Sequence, residues 1–192
     1  MGGCIANALH MLITKKPQEL INILRNGGVF AYPTEAVYGL GCDPDNEQAV
    51  NKILELKQRS VDKGLILIAS DFSQVEKYLK PLNQDQLALI KPSQTTYIYP
   101  ARDTAPKWLT GNFNSLAVRI SKLAIIQELC STLDSALVST SANLSGQEPA
   151  RSCAEVDSVF HNKIDAILDG ETGDLLTPTE IRDSITGEII RA

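Results

Sequence analysis

The sequence predicts an α/β fold built on a mixed sheet. Short apolar runs of strand length alternate with stretches in which apolar residues recur at helical spacing. Strands that alternate with helices in this way are typical of α/β domains. The 192 residues contain no internal repeat and no low-complexity segment, and their number suits one buried core.

The domain boundaries follow from the N-terminal residues. Met11 opens the first amphipathic stretch, whereas residues 1–10 read as a leader or tag-like extension. No basic region followed by a long apolar stretch marks a secretory signal, and no apolar run reaches the roughly 18 residues that a membrane span needs. We therefore expect a single cytoplasmic domain over residues 11–192, with no membrane partner.

The first helix and strand are marked by proline and glycine. Pro17 suits the first position of a helix, and Gly27 and Gly28 end it. Residues 29–32 then read as a short buried strand that Pro33 stops. The chain should therefore enter the sheet directly after one short helix.

A second helix and strand enclose a pair of cations. Asp45 and Gln48 have the spacing of a capping box, which predicts a helix that continues to about Lys57. Residues 65–69 (LILIA) form a continuous apolar run, which is typical of a strand covered on both faces. Lys57 and Arg59 are thus expected in the connection between helix and strand.

The rest of the chain continues the same alternation of elements. The predicted elements are, in order, helices around 72–79 and 87–90, strands at 95–99 and 116–120, a helix around 125–129, a strand at 136–138, a helix at 156–160, and strands at 164–168 and 188–191.

The charge and the cysteine content argue against a nonspecific nucleic-acid-binding protein and against a zinc protein. The formal net charge is −5, and residues 148–192 hold ten acidic and four basic residues, a balance of −6. Residues 86–127 hold one acid, Asp103, and five bases. The net acidity argues against strong nonspecific binding to nucleic acid. The four cysteines form no CxxC pair, which disfavours a zinc site and suits a reducing cytosol.

Three polar segments are candidate ligand sites, each with a purely structural alternative. Residues 32–42 combine Thr34 with glycines that permit close approach of the backbone to a ligand, or form a tight turn. Lys57 and Arg59 offer a point charge beside a planar fork, as a polyphosphate requires, or cap a helix. Residues 139–146 offer four hydroxyls and an amide for phosphate or ribose, or form a capping loop.

The remaining polar residues constrain the mechanism. Arg119 lies inside the apolar run 116–120, where its charge needs a partner, either a bound anion or an internal acid. His10 and His161 are the only histidines, so histidine-based catalysis is not expected. Lys, Arg, hydroxyl and amide groups suit positioning and charge stabilisation, which dominate phosphoryl and nucleotidyl transfer.

Taken together, the polar segments resemble the YrdC family, the threonylcarbamoyl-AMP synthases of tRNA modification. The matching segments occur in the family's order from about residue 17 to the end. The chain is similar to the short, single-domain bacterial form of the family. The matching segments are YPTEAVYGLG (32–41), LKQR (56–59), KGLILI (63–68), WLTG (108–111), SLAVR (115–119), STSANLSG (139–146) and EIRD (180–183).

The resemblance implies a fold and a reaction. The implied fold is a twisted mixed sheet flanked by helices, with a large concave cavity. The implied reaction converts L-threonine, bicarbonate and ATP into L-threonylcarbamoyl-AMP and pyrophosphate, for modification of tRNA position 37. Mg²⁺ is expected to arrive with ATP, since no carboxylate pair is in evidence to hold a metal. Implied partners are tRNA and the threonylcarbamoyl-transferase complex that receives the product.

The resemblance also implies residue roles at matching positions. Lys57, Arg59, Ser141 and Asn143 match the family's catalytic tetrad at the nucleotide. The implied threonine contacts are Thr34, Arg119, Ser139 and Thr179. The implied ATP contacts are Lys57, Arg59, Ser115, Ser141 and Arg191.

Two departures from the family and two rival functions accompany this interpretation. Residues 91–94 (KPSQ) replace a frequent WPGP, which predicts a different cavity rim, and Ile68 stands where relatives often have histidine. The first rival is a module that binds tRNA or double-stranded RNA without chemistry of its own. The second is a carbamoyl-handling domain of the hydrogenase-maturation type, which usually sits in a much longer chain.

Overall fold

The computed structural model describes residues 11–192, so the leader or extension predicted at 1–10 lies outside the described residues. The strands in this range are β1 (Leu12–Thr14), β2 (Phe30–Pro33), β3 (Tyr38–Gly41), β4 (Ile66–Ala69), β5 (Thr96–Pro100), β6 (Ser115–Ile120), β7 (Leu137–Ser141), β8 (Ala166–Leu168), β9 (Ile181–Asp183) and β10 (Ile189–Arg191). The α-helices are α1 (Ile21–Arg25), α2 (Glu47–Leu56), α3 (Gln84–Ala88), α4 (Lys107–Thr110), α5 (Ala124–Leu133) and α6 (Cys153–Phe160).

The strands form one open, mixed sheet, which confirms the predicted fold class. Their order is β1-β8-β2-β3-β7-β4-β6-β5-β9-β10. Strand β4 runs parallel to β6 but antiparallel to β7, and β5 runs antiparallel to β6 but parallel to β9. This order brings the two segments 56–69 and 137–143, which are far apart in sequence, to the centre of the sheet.

Alternation along β6 separates a core face from a cavity face. Leu116, Val118 and Ile120 belong to the larger hydrophobic core, which also contains the buried side of α2. The intervening residues Ser115, Ala117 and Arg119 line a cavity on the opposite face. Successive side chains of a strand point to opposite faces, so one strand supplies both surfaces.

A second, smaller core covers part of the cavity face. Tyr32, Ile68 and Leu137 pack there with the apolar sides of α1 and α5. The helices stop short of the other end of this face, and the cavity occupies that end. The packing thus leaves a concave region bounded by sheet and loops.

Several predicted elements are corrected by the structure. Strand β3 lies where a loop was expected, because Gly41 lets the strand pack closely: a Cβ there would lie 2.6 Å from Cε1 of Tyr32. Asn46, rather than Asp45, caps α2 by accepting a hydrogen bond from the backbone of Ala49 at 3.0 Å. Pro33 is the last residue of β2 instead of a residue beyond it.

Other corrections concern helix type and strand length. Residues 72–79 form two short 3-10 turns, Phe72–Gln74 and Glu76–Tyr78, rather than one α-helix. Strand β7 extends to Ser141, so the first polar residues of 139–146 belong to the strand. Strands β1 and β9 and helix α4, of three or four residues each, were not predicted. The other predicted elements are confirmed within a few residues at their ends.

Candidate functional site

The cavity on the open end of the sheet is the candidate site. Its volume is about 420 Å³, which is in the range of small-molecule sites. Four cationic side chains line it, Arg59, Lys63, Arg119 and Arg191, and no Asp or Glu does so. A cavity with this excess of positive charge is suited to anionic ligands.

The cavity floor is apolar and spans three adjacent strands. Ala117 on β6 is paired with Ile66 on β4 and with Ile98 on β5, and all three line the cavity. Polar groups stand around this floor, and the exposed Phe113 and Ile190 stand at the rim. The cavity therefore offers both an apolar surface and charged or hydroxyl groups to a ligand.

The structure brings most of the sequence-predicted site residues to this cavity. Those that line it are Thr34, Arg59, Ser115, Arg119, Ser139, Ser141, Thr179 and Arg191. The other two, Lys57 and Asn143, do not line it. They lie directly behind it and contact each other.

Lys57 is bound to the chain that follows β7. Its Nζ donates hydrogen bonds to the backbone oxygen of Ser141 at 2.5 Å, to that of Asn143 at 3.0 Å, and to Oδ1 of Asn143 at 2.9 Å. An ammonium has three donors, and these contacts use all of them. Burial, and secondarily the charge of Arg59, lower the pKa of Lys57 to about 8.

The loop after β7 is closed by side-chain hydrogen bonds as well. Ser141 Oγ donates to Asn143 Oδ1 at 2.7 Å, and the Asn143 amide donates to the backbone oxygens of Leu144 and Gln147 at 3.0 and 2.8 Å. Asn143 therefore connects the lysine, the end of the strand and the following turn. These contacts give Asn143 the structural role of the two alternatives for this segment, that of closing the loop.

Arg59 is held at the cavity wall by one hydrogen bond, and its other N–H donors have no partner in the described residues. Its Nη2 donates to the backbone oxygen of Gly64 at 2.9 Å, and its buried Nε has no hydrogen-bond partner. Among the described residues no carboxylate forms a salt bridge with Arg59 or Lys63. Burial lowers the pKa of Arg59 from its ordinary value, which indicates a charge that lacks compensation from the protein.

Arg119 has an internal acid as its partner, which resolves the alternative left open by the sequence. Its Nη2 lies 3.0 Å from Oε2 of Glu35, and both side chains are almost fully buried. Its Nη1 donates to the hydroxyls of Thr179 at 2.7 Å and Thr96 at 3.3 Å. Its Nε is buried without a hydrogen-bond partner, although the side chain lines the cavity.

Arg191 comes from β10 and completes the cationic wall. Its Nη2 donates to the backbone oxygen of Thr179 at 2.8 Å. Burial lowers the pKa of Arg191, and the charges of Arg119 and Arg59 lower it further. Because three guanidinium groups repel one another here, an anion between them would relieve the repulsion.

Thr34 and Ser139 face each other across a glycine. A Cβ on Gly39 would lie 3.1 Å from Cγ2 of Thr34 and 3.5 Å from Oγ of Ser139, so the glycine keeps the space between them open. The hydroxyl of Thr34 donates to the backbone oxygen of Val37 at 2.7 Å. Its lone pairs therefore remain available to a ligand that donates.

Two predicted features of the cavity are corrected. Residues 91–94 do not line the cavity, because Ser93 is bridged to Ser121 beyond the other end of β6. Their departure from the family pattern therefore does not alter its rim. Ile68 is fully buried in the smaller core and does not reach the cavity either.

Sequence reasoning assigned no role to Glu35 and Thr96, which hold Arg119, and left Lys63 without an assigned role at the site. Only the position of Glu35 in a polar turn next to Thr34 gave a signal. Cys42 is buried in the core, where burial raises the pKa of its thiol, so it does not belong to the site.

The chemistry of the cavity does not fit a resident metal. Within residues 11–192 no carboxylate or histidine lines it, and Glu35 accepts a hydrogen bond from Ser121 and forms an ion pair with Arg119. Within residues 11–192 no group of three or more His, Cys, Asp or Glu side chains is arranged to hold a metal ion. In the same part of the chain, no helix has the length and apolar character to span a membrane.

Comparison with known proteins gives a consistent result. The family model Sua5/YciO/YrdC, described as "Telomere recombination", matches residues 22–192. The threonylcarbamoyl-AMP synthase of Serratia proteamaculans is 52% identical over 177 residues, 90% of this chain and 93% of that protein. That of Klebsiella pneumoniae subsp. pneumoniae is 48% identical over 176 residues, 89% of this chain and 92% of that protein.

A solved structure supports the same comparison. The structure of P. abyssi Sua5 complexed with L-threonine superposes with a TM-score of 0.82 at 28% identity. The match covers 90% of this chain and 54% of that one, so this chain spans about half the length of that protein.

Proposed function

The chain belongs to the Sua5/YciO/YrdC family, and from this membership we propose that its cavity forms L-threonylcarbamoyl-AMP and pyrophosphate from L-threonine, bicarbonate and ATP. The observation that supports this most strongly is the lining of four cationic side chains with no carboxylate. ATP, bicarbonate and the carboxylate of threonine are all anions. Residues 11–192 act as a single catalytic domain.

Threonine occupies the part of the cavity near Arg119. The guanidinium of Arg119 and the hydroxyl of Thr179, which both line the cavity, receive its carboxylate. Thr34 and Ser139 stand on either side of the open space at Gly39, and their hydroxyl oxygens accept hydrogen bonds from the threonine amine or hydroxyl.

ATP occupies the part of the cavity near Arg59. The guanidinium groups of Arg59 and Arg191 lie against its phosphates, together with the hydroxyls of Ser115 and Ser141. Lys57 adds its charge from behind this wall and, through Asn143, fixes the loop that carries the hydroxyls. Within the tetrad, Arg59 and Ser141 thus face the nucleotide. Lys57 and Asn143 support the loop behind them.

The reaction requires charge stabilisation more than proton transfer. The threonine amine and bicarbonate give a carbamate with loss of water. An oxygen of the carbamate attacks the α-phosphorus of ATP, and the bond to the β-phosphate oxygen breaks to release pyrophosphate. The negative charge that develops on the phosphates lies opposite Arg59, a fixed donor in a partly desolvated cavity, which is the most effective form of electrostatic catalysis.

Mg²⁺ enters as part of the ATP complex. The cavity offers no carboxylate to bind the ion, so ATP oxygens and water are its ligands. The ion then forms part of the substrate rather than of the protein.

The product, L-threonylcarbamoyl-AMP, is a mixed anhydride that water hydrolyses. Because free product would be lost in this way, we also propose that the enzyme transfers it directly to a partner. The partner is the threonylcarbamoyl-transferase complex that modifies position 37 of tRNA, and tRNA itself binds there rather than in the cavity. This places the enzyme in the cytoplasm, where ATP and tRNA are available. Incorporation of labelled threonine into tRNA should occur only when enzyme and transferase complex are present together.

The central test is the release of pyrophosphate by the purified protein. With ATP, bicarbonate and threonine together, we expect pyrophosphate and threonylcarbamoyl-AMP in equal amounts, and omission of threonine should stop both. If release does not depend on threonine, the proposed reaction is wrong. A protein that shifts tRNA on a gel, with a steep dependence on salt, and makes no pyrophosphate would instead support the RNA-binding alternative.

A further inference from the structure

Glu35 is a buried carboxylate for which the proposed reaction has no use. It lies in the turn between β2 and β3, and only 1% of it is exposed. Its Oε1 accepts a hydrogen bond from Ser121 Oγ at 2.6 Å, and its Oε2 lies 3.0 Å from Nη2 of Arg119. Desolvation of two charges is costly, so a pair in this position calls for an explanation beyond stability.

The pair fixes the orientation of the Arg119 guanidinium. Glu35 contacts Nη2 from one side, while Thr179 and Thr96 hold Nη1 from the other. Nη1 is held by hydrogen bonds and Nη2 by the ion pair alone, since Oε2 of Glu35 accepts no hydrogen bond in the described residues. Because the guanidinium is planar, these contacts together restrict its orientation. Of the five donors of the guanidinium, the buried Nε is the one nitrogen with no partner in the described residues.

Glu35 is itself held firmly from the opposite side. Its backbone oxygen accepts a hydrogen bond from Leu175 N at 3.0 Å, within the segment 170–179 that also carries Thr179. A Cβ on Gly173 would lie 2.7 Å from the same oxygen, so this segment packs closely onto Glu35. The backbone of Glu35 is therefore packed against the segment that also carries Thr179.

We propose that Glu35 is a positioning residue, which acts through Arg119 to hold the guanidinium in the orientation that receives the carboxylate of threonine. This rests on the proposed function, in which Arg119 receives that carboxylate. Because the charges of Glu35 and Arg119 largely cancel, Arg119 attracts anions at a distance less than Arg59 does. Its contribution to binding depends on direction, and Glu35 sets that direction.

The main test compares the two substrates in Glu35→Gln. This variant keeps the shape of the side chain but removes its charge, which weakens the restraint on the Arg119 guanidinium at Nη2. We expect the KM for threonine to rise by about tenfold, the effect of weakening one charged hydrogen bond, while the KM for ATP stays within about twofold. The exposed Glu128 on α5 provides the control, since Glu128→Gln removes the same charge and should change neither constant.

A double-variant cycle separates positioning from a merely structural role. If Glu35 acts through Arg119, then Glu35→Gln adds nothing to the threonine KM once Arg119→Gln is present, because coupled residues are not additive. Effects that multiply, or a KM for ATP that rises equally, overturn the proposal. A threonine KM that falls also overturns it, because Glu35 would then act as a competing anion.

Two further measurements keep the test decisive. If Glu35→Gln does not fold, Ser121→Ala removes the hydrogen bond to Oε1, together with a local bond that Ser121 Oγ accepts from the backbone of Leu123, and should raise the threonine KM alone, by a smaller factor. An unchanged threonine KM in this variant overturns the proposal. Calorimetric titration with threonine gives the same comparison without turnover, so a wild type that binds threonine but releases no pyrophosphate contradicts the proposed reaction and not the positioning role.

Discussion

Lys57 donates two hydrogen bonds to Asn143, one to its backbone oxygen at 3.0 Å and one to its side-chain oxygen at 2.9 Å. A third goes to the backbone oxygen of Ser141. The lysine thus joins the end of α2 to the end of β7, and all three of its N–H donors form hydrogen bonds within the protein. The cavity wall in front of it is left to Arg59 and the serine hydroxyls.

The first prediction concerns the stability that this contact provides. Asn143→Ala removes one acceptor of Lys57 and the bridge to the following turn, and a buried donor without a partner costs about 1–3 kcal/mol. For a chain of this length we expect a Tm that is lower by several degrees, together with reduced turnover. Asn51→Ala, on the exposed side of α2, is the control and should leave both unchanged.

The second prediction concerns the pH dependence of activity. The pKa of Lys57 is lowered to about 8 by burial and by Arg59, so a rise in pH through 8 removes its charge and one donor. We expect kcat/KM for ATP to fall above this pH, since that parameter reports the free enzyme. In Lys57→Arg the guanidinium stays protonated, and this fall should disappear whatever the remaining activity. A fall of equal size in both proteins would assign it to another group.

The third prediction is that the same lowered pKa of Lys57 makes the folded protein more stable as the pH rises. Between pH 8 and the ordinary value of 10.5, the unfolded chain binds more protons at Lys57 than the folded chain does. The free energy of unfolding therefore gains a contribution that rises with pH in this window, while activity declines. Denaturant unfolding of wild type and Lys57→Met at pH 7.5 and 9.5 should show the wild type gaining relative to the variant. A wild type that loses stability relative to the variant would reverse the assigned shift.

The fourth prediction concerns Arg59, whose guanidinium has one backbone contact and a free Nε. Arg59→Ala should lower turnover by about 10²–10³-fold, the effect of removing a fixed donor that faces developing charge. The Tm should change little, because the side chain makes no salt bridge in the described residues. The exposed Arg25→Ala serves as control. Turnover that survives in Arg59→Ala would refute its place at the phosphates.

The fifth prediction concerns Gly111, which ends α4 with a φ of +61°. A Cβ there would lie 2.5 Å from the backbone oxygen of Asp62, in the turn that leads from Arg59 to β4. Gly111→Ala should therefore be clearly less stable than Gly187→Ala. Gly187 has a positive φ of +74° but no atom within 4 Å of its Cβ position, so it is the control for a positive φ without a close contact. Equal losses of stability would exclude a role for that contact.

Much of the fold was predictable because apolar periodicity and strand length are local properties. The runs 65–69 and 116–120 are read correctly as strands from the sequence. Strand β3 was misread because its two glycines suggested a loop. In the structure Gly41 is needed because the side chain of Tyr32, on the neighbouring strand β2, lies where a Cβ would be. Such packing depends on the order of strands in space, which a local pattern does not contain.

The site was predictable as a set of residues but not as a set of contacts. Arg119 stood out as a charge in an apolar strand, yet its partner Glu35 is 84 residues away in sequence and reaches it only through the turn between β2 and β3. Lys57 and Asn143 were expected to face a nucleotide together. The structure places them in contact with each other instead, because the antiparallel pairing of β4 and β7 brings their segments side by side.

The apolar floor of the cavity has a consequence for engineering. Its centre is Ala117, the smallest side chain of the three that form it, between Ile66 and Ile98 on the neighbouring strands. Its neighbours along β6 belong to the core on the opposite face, so a larger side chain at this position would extend into the cavity and not into that core. A larger residue there would shrink the room available to a substrate side chain, which makes Ala117 the natural place to redesign the range of amino acids that the protein accepts.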